Sequence, residues 1–209
     1  MSGQIISRDQ VYERLTEVAP DIWVKDRTLQ KKFCEVLIEK FNNDGRRRPG
    51  TFGVGVVDKK IKDSTDLNIT HLSEYQKFDK VLFEALSAAI RELLALFHDE
   101  LKFNLHPEVF ARDTGYQIQR TDVGGHYVWH TENDGRNPHN LTRTLAFIFY
   151  ANEVEKGGNT GFMRQKCEVQ PAAGRLVLFP PYWGYIHCGL PVEAGVKYTI
   201  TGWLHGNAR

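Results

Sequence analysis

From Thr114 to the C-terminus the chain breaks into short β-rich runs separated by Gly, Asn and Pro: Tyr116 to Thr121, His126 to Asn133, Arg143 to Tyr150, Thr160 to Met163, Cys167 to Val169, Arg175 to Phe179, Tyr185 to Cys188 and Lys197 to His205. Segments this short cannot each bury a hydrophobic face alone, so they must share sheets. Eight such strands following a helical half predict a mainly β, α+β architecture: a jelly roll buttressed by helices outside it.

The helical half is read from periodicity. Ser7 and Gln10 have capping-box spacing, and Val11, Leu15 and Val18 recur at helical intervals before Pro20, which predicts a short first helix. Leu29, Phe33, Val36, Leu37 and Phe41 form an apolar stripe that predicts a second helix, ending at Asn42-Asn43-Asp44-Gly45. Thr51 to Asp58 is Val- and Gly-rich and reads as a strand. Phe78, Val81, Leu82, Ala85, Ala89, Leu93, Leu96 and Phe97 keep the helical period through a long helix from about Glu74 to about Leu101, suited to cover a sheet face. No linker or repeat divides the 209 residues, so one domain over 1–209 is expected, with helical support about 1–113 and a jelly-roll core about 114–209.

Charge and cysteine content narrow the function classes. Twenty-seven basic residues against 26 acidic give a net charge of +1, so no global charge points to nucleic acid or to an anionic membrane. The Arg46-Arg47-Arg48 run before Pro49 reads as a solvated turn. Cys34, Cys167 and Cys188 are odd in number and lack C-x-x-C spacing, which argues against a disulfide framework and a zinc knuckle. With no spanning apolar run and no leader-like N-terminus, a cytoplasmic protein is expected.

The chemistry is carried by three residues of the β-rich half. On a strand, side chains two apart project to the same side, so His130 and Glu132 point at one spot, and His187 on a distant run is free to join them. Two imidazoles and one carboxylate on one face of an octahedron leave three positions open, the arrangement of non-haem Fe(II) oxygenases. A 2-oxo acid then fills two positions and dioxygen one, and a cation is needed for the acid's far carboxylate. Lys197, ten residues beyond His187 in Gly195-Val196-Lys197-Tyr198-Thr199-Ile200-Thr201-Gly202-Trp203, is a candidate, because a lysine in a barrel mouth needs an anion; the strand alone would place it on an exposed edge, and its coincidence with His187, Gly195 and Trp203 reverses that preference. Alternation puts Lys197, Thr199, Thr201 and Trp203 on one face.

Together these residues resemble the 2-oxoglutarate and Fe(II)-dependent oxygenases, most closely their prolyl 4-hydroxylase-like branch, over roughly Tyr116 to Leu204 with a weak extension to Lys62-Asp63-Ser64-Thr65-Asp66. The resemblance implies a double-stranded β-helix (cupin-like) and an iron held by His130, Glu132 and His187. It implies that Lys197 and Tyr150 grip the distal carboxylate of 2-oxoglutarate, with Thr201, Tyr127 and Trp203 lining the cosubstrate site. The implied reaction is hydroxylation of an unactivated C–H bond, with dioxygen consumed, succinate and carbon dioxide released, and ascorbate as a stimulant. Glu132 stands where Asp is usual in the family, and Arg120, ten residues before His130, stands where relatives often carry a tyrosine. A prolyl residue of a peptide or protein is the first substrate expected. Arg120, by pairing with a carboxylate, keeps a free amino acid or small metabolite open. A zinc or other divalent-metal hydrolase or a cupin-type enzyme would use the same three residues, but the H-E-x-x-H helix signature is absent and Lys197 would have no task; a jelly-roll binding module would need the triad to be incidental, against which all three intact ligands speak. Nucleic acid and membrane are not expected as partners.

Overall fold

The computed structural model describes residues 3–99, 102–133, 135 and 140–207. Leu101, the expected end of the long helix, and the extreme termini of the expected domain lie outside the described residues. In chain order the elements are β1 (Gln4–Ile6), β2 (Thr16–Ala19), β3 (Ile22–Lys25), α1 (Lys31–Asn42), β4 (Arg48–Pro49), β5 (Thr65–Asn68), α2 (Gln76–Asp99) and β6 (Arg112–Asp113). There follow β7 (Gln117–Thr121), β8 (Tyr127–His130), β9 (Arg143–Tyr150), β10 (Lys156–Gly157), β11 (Thr160–Phe162) and β12 (Cys167–Val169). The last four are β13 (Leu176–Phe179), β14 (His187–Gly189), β15 (Val192–Ala194) and β16 (Lys197–His205).

The fold is mainly β with few helices. The larger sheet runs β2-β3-β13-β9-β16-β7-β5-β4, with β6 also on β16; the smaller runs β1-β12-β11-β14-β8, and β10 pairs with β15. Side-chain alternation divides the larger sheet sharply. On one face Leu67, Ile118, Phe147, Phe149, Leu176, Leu178 and Ile200 pack against Leu37 and Phe41 of α1 and Leu82, Leu86, Ala89 and Leu93 of α2. On the other, Val24, Ala146, Tyr150, Val177 and Phe179 meet Ile6, Phe162, Cys167 and Val169 of the smaller sheet. The central strands β9 and β13 are thus apolar on both sides along most of their length, and polar residues of β7 and β16 on the second face mark where the sheets part.

Both α1 and α2 lie where the periodicity places them, and β9, β12 and β16 begin and end on the expected residues. Two expectations fail. The stretch 7–18 is not helical: β2 and β3 form a hairpin across Pro20 and Asp21, the latter at φ 55°, and β3 pairs with β13. Pairing with the sheet edge and burial of Ile22, Trp23 and Val24 outweigh a weak helical period carried by three apolar residues, of which Val11 is exposed. Thr51 to Asp58 is a turn closed by a bridge between Phe52 and Val56, because Gly53 and Gly55 take φ of 57° and 90°, which no strand accommodates. The strand falls instead on Thr65–Asn68, whose polar composition hides it. Strands before residue 114 therefore complete both sheets, and the helices are not the only support.

Arg175 pins this N-terminal stretch. Fully buried, it pairs with Asp26 (2.6 Å from Nε, 3.1 Å from Nη2) and donates to the carbonyls of Ser7, Gln10 and Gln170. Asp26 also accepts from the Tyr12 amide at 2.7 Å. Asp26→Ala leaves a buried guanidinium without its counter-charge and is expected to cost about 3–5 kcal/mol, read as a lowered urea midpoint. Substituting both residues by apolar ones is expected to recover most of that loss.

Candidate active site

The smaller sheet builds the triad by strand pairing. β14 runs antiparallel to β8 with His187 opposite His130, so two residues 57 positions apart become cross-strand neighbours with ring centroids 4.2 Å apart. Just beyond the end of β8, Glu132 reaches between them: its Oε1 lies 3.2 Å from His187 Nε2 and 3.5 Å from His130 Nε2. His130 Nδ1 lies 2.8 Å from the Val128 carbonyl and His187 Nδ1 lies 3.0 Å from the Tyr185 carbonyl. A carbonyl only accepts, so both Nδ1 atoms carry protons and both Nε2 atoms face the centre.

This donor set fits a divalent metal ion. Donors about 2.1 Å from a common ion on one octahedral face lie about 3.0 Å from one another, close to the separations observed. All three ligand atoms fall within 4.8 Å of one another. Burial lowers the pKa of His130, with the neighbouring His187 charge adding to the effect. Burial opposes ionisation of Glu132, yet the hydrogen bonds and charges of His130 and His187 prevail and hold its carboxyl well below the usual range. Tyr127 stacks on His130 at 3.7 Å and 20°, and Phe179 meets His187 edge-on at 4.6 Å.

The triad opens into a cavity of about 780 Å³ between the sheets. Lys197, Thr199, Thr201 and Trp203 of β16 line it together, as alternation requires, and Gln119 and Thr121 of β7 continue the wall. Lys197 is buried, donates to the Gly158 carbonyl at 2.9 Å, and has no carboxylate partner among the described residues. Desolvation pushes its ammonium down to about 8. Tyr150 stands behind this wall: its hydroxyl bonds Thr160 Oγ1 at 2.5 Å, and it is Thr160 that lines the cavity. Burial raises the Tyr150 phenol to about 12, so it stays protonated.

One candidate is misplaced. Arg120 shares the helix-facing side of β7 with Ile118, bonds Asp122 at 2.8 and 2.9 Å and reaches Asn42 of α1. The position that spacing offered to Arg120 is taken by its neighbours Gln119 and Thr121, since one residue of register turns a side chain to the other face. Sequence reasoning also missed Arg143. Its Nη1 donates to the Glu132 carbonyl at 2.6 Å and lies 3.7 Å from Glu132 Oε2, while its guanidinium stacks 3.6 Å over Trp203. Gln119 was missed as well; it donates to Thr201 Oγ1 at 3.0 Å. Only alternation along β7 pointed to it.

With this geometry in place, the comparisons decide the family resemblance. Residues 116–205 match the 2OG-Fe(II) oxygenase superfamily. This superfamily works with Fe(II) and 2-oxoglutarate, and the likeness read from the sequence is borne out. A PKHD-type hydroxylase from Synechococcus sp. (strain CC9902) is 30% identical over 95 residues, 42% of this chain and 39% of that protein, so the match spans well under half of the relative's length. Among solved structures, a prolyl hydroxylase from Trichoplax adhaerens, in complex with a hypoxia inducible factor oxygen degradation domain peptide fragment, is similar with a TM-score of 0.73 at 17% identity, over 88% of this chain and 83% of that one. The viral collagen prolyl hydroxylase of Paramecium Bursaria Chlorella virus-1, solved with 2OG, is similar at 0.61 and 18% identity, over 91% and 100%. A Pseudomonas putida prolyl-4-hydroxylase is also similar at 0.61 and 18%, over 88% and 92%. These structures share the fold. No helix among the described residues is long and apolar enough to cross a membrane.

The cluster is expected to take up one divalent ion per chain, measured by Mn(II) or Co(II) titration under anaerobic conditions. His187→Ala is expected to weaken binding by at least tenfold while Tyr150→Phe leaves it unchanged.

Proposed function

We propose that this protein is an Fe(II)- and 2-oxoglutarate-dependent dioxygenase that hydroxylates an unactivated C–H bond, with a prolyl residue of a peptide or protein as substrate. The two sheets are read as the halves of a double-stranded β-helix, a jelly roll forming one domain with its helices. The observation that carries the reading is a conjunction in one cavity: two histidines with committed Nδ1 atoms and a carboxylate converge, and a buried lysine lines the same cavity without a carboxylate partner among the described residues.

In this reading His130, Glu132 and His187 hold Fe(II) through three donors on one side. When bound, the iron supplies the oxidising chemistry that couples conversion of 2-oxoglutarate to succinate and carbon dioxide with substrate hydroxylation. Lys197 receives the distal carboxylate; a dicarboxylate gives the buried ammonium a counter-charge that no described residue supplies. Thr160 of the smaller sheet, backed by Tyr150, and Thr199 of the larger offer hydroxyls to the same cavity. Trp203 and Tyr127 close the cavity with apolar surface that excludes water. The peptide preference rests on the prolyl hydroxylase-like resemblance. Arg120, paired with Asp122 on the far face of β7, is not placed to receive a carboxylate of a small substrate in the cavity.

The test is succinate formation by the Fe(II)-loaded protein with proline-containing peptides and with free amino acids. Peptide-stimulated turnover is expected; stimulation by free amino acids alone would move the assignment to a metabolite hydroxylase. Lys197→Ala is expected to keep the metal and to weaken 2-oxoglutarate binding by about ten- to a hundredfold, the equivalent of a charge-assisted contact of roughly 1.5–3 kcal/mol. Because only the ammonium attracts the dicarboxylate, affinity is expected to hold below pH 8 and to fall as pH rises above it. The sign for stability is opposite. The unfolded chain binds more protons than the folded one between about 8 and the ordinary 10.5, so the ligand-free protein gains stability across that window.

A further inference from the structure

The motif Lys62-Asp63-Ser64-Thr65-Asp66 forms a second polar cluster in the cavity wall that the proposed reaction leaves unused. Lys62 and Asp66 are a buried ion pair at 2.6 Å, each about 5% exposed. Ser64 Oγ donates to the other Asp66 oxygen at 2.8 Å, and Lys62 Nζ lies 3.4 Å from the Thr51 carbonyl. Gly50 packs so closely that a Cβ there would sit 2.2 Å from Ser64 Oγ and 3.1 Å from Lys62 Cε. A buried ion pair of this kind adds little stability over an apolar pair of similar size, because desolvating both charges offsets their attraction. Its presence in this wall calls for another account.

Geometry supplies one. The backbone of this segment is stitched to the strand carrying His130: Lys62 bridges Tyr127, the Val128 amide donates to Ile61, and the Asp63 amide donates to His126. The Lys62 ammonium sits 5.4 Å from the centroid of the Tyr127 ring, within cation–π range, and that ring stacks on His130. One aromatic ring thus has a cation near its centroid and an imidazole stacked on it. The Val128 carbonyl holds His130 Nδ1 but leaves the ring free to tilt about that bond; the stack removes the tilt. We propose that Lys62, held by Asp66, is a positioning residue that aims His130 Nε2 through Tyr127. The inference rests on the metal-binding reading of the triad.

The experiment uses Co(II), with affinity and the visible absorption of the bound ion as readouts, in the full-length protein. Lys62→Met/Asp66→Leu removes both charges together, so no unpaired charge stays buried and the unfolding midpoint is expected to stay near that of the unsubstituted protein. Its Co(II) affinity is expected to fall roughly tenfold, the low end for residues that orient metal ligands, with altered absorption bands. Placed on Tyr127→Leu, the same pair of changes is expected to add no further loss, because the path through the ring is already cut. Unchanged affinity and spectrum in Lys62→Met/Asp66→Leu would overturn the proposal, as would a full additional loss on the Tyr127→Leu background. Failure of the unsubstituted protein to bind Co(II) would instead overturn the metal reading beneath it.

Discussion

The antiparallel pairing of β9 with β16 is the constraint on which the rest of the structure depends. It runs from Thr199 opposite Tyr150 to His205 opposite Arg143, at the centre of the larger sheet. Because successive side chains alternate, this one register assigns Phe147, Phe149 and Ile200 to the helices and Lys197, Thr199, Thr201 and Trp203 to the cavity. A slip of a single residue would bury the lysine among helix side chains and turn aromatics toward the triad. The same pairing brings Arg143 beside Trp203, where its guanidinium stacks and holds the Glu132 backbone.

The smaller sheet answers a different demand. It must hold polar groups at fixed separations in a partly dry space, and short strands do this because backbone hydrogen bonds set their spacing. β8 and β14 contribute one histidine each at facing positions, and the two imidazoles use backbone carbonyls two residues upstream to set their orientation. Polar and charged groups concentrated where the sheets part are costly to desolvate. The molecule offsets that cost elsewhere, with an apolar core on both faces of the larger sheet and a fully satisfied Arg175 network at its edge. Stability and reactivity thus occupy separate regions of one sheet pair.

Glu132 is one methylene longer than the aspartate usual in the oxygenases that residues 116–205 resemble, and the surroundings compensate. Arg143 fixes the backbone at Glu132, and both histidine Nε2 atoms draw its carboxylate inward. The extra rotatable bond is restrained by contacts on three sides, which lets the longer arm serve where it would otherwise wander.

Much of this was legible in the one-dimensional pattern. The long helix, the helix over Lys31–Asn42, most strands after residue 114 and the common side of His130 and Glu132 followed from periodicity, alternation and spacing, since these are local properties of a chain, whereas the partnership with His187 and Lys197 came from the family resemblance. The 7–18 and 51–58 segments were misread because their residues are weak in any local preference, and pairing with distant strands or a pair of left-handed glycines decided them. Arg120 was misjudged by one register position. Gln119, Arg143 and Lys62 lie far in sequence from Thr201, Trp203 and Tyr127, the residues they meet across the cavity wall. Residue types and side-chain alternation are local, so the chain alone showed which groups could do the chemistry and, for the strands of the C-terminal half, which of them share a face. Only the tertiary structure decided which of those faces meet, because strand order and the packing of one sheet on the other arise from contacts between residues that are distant along the chain.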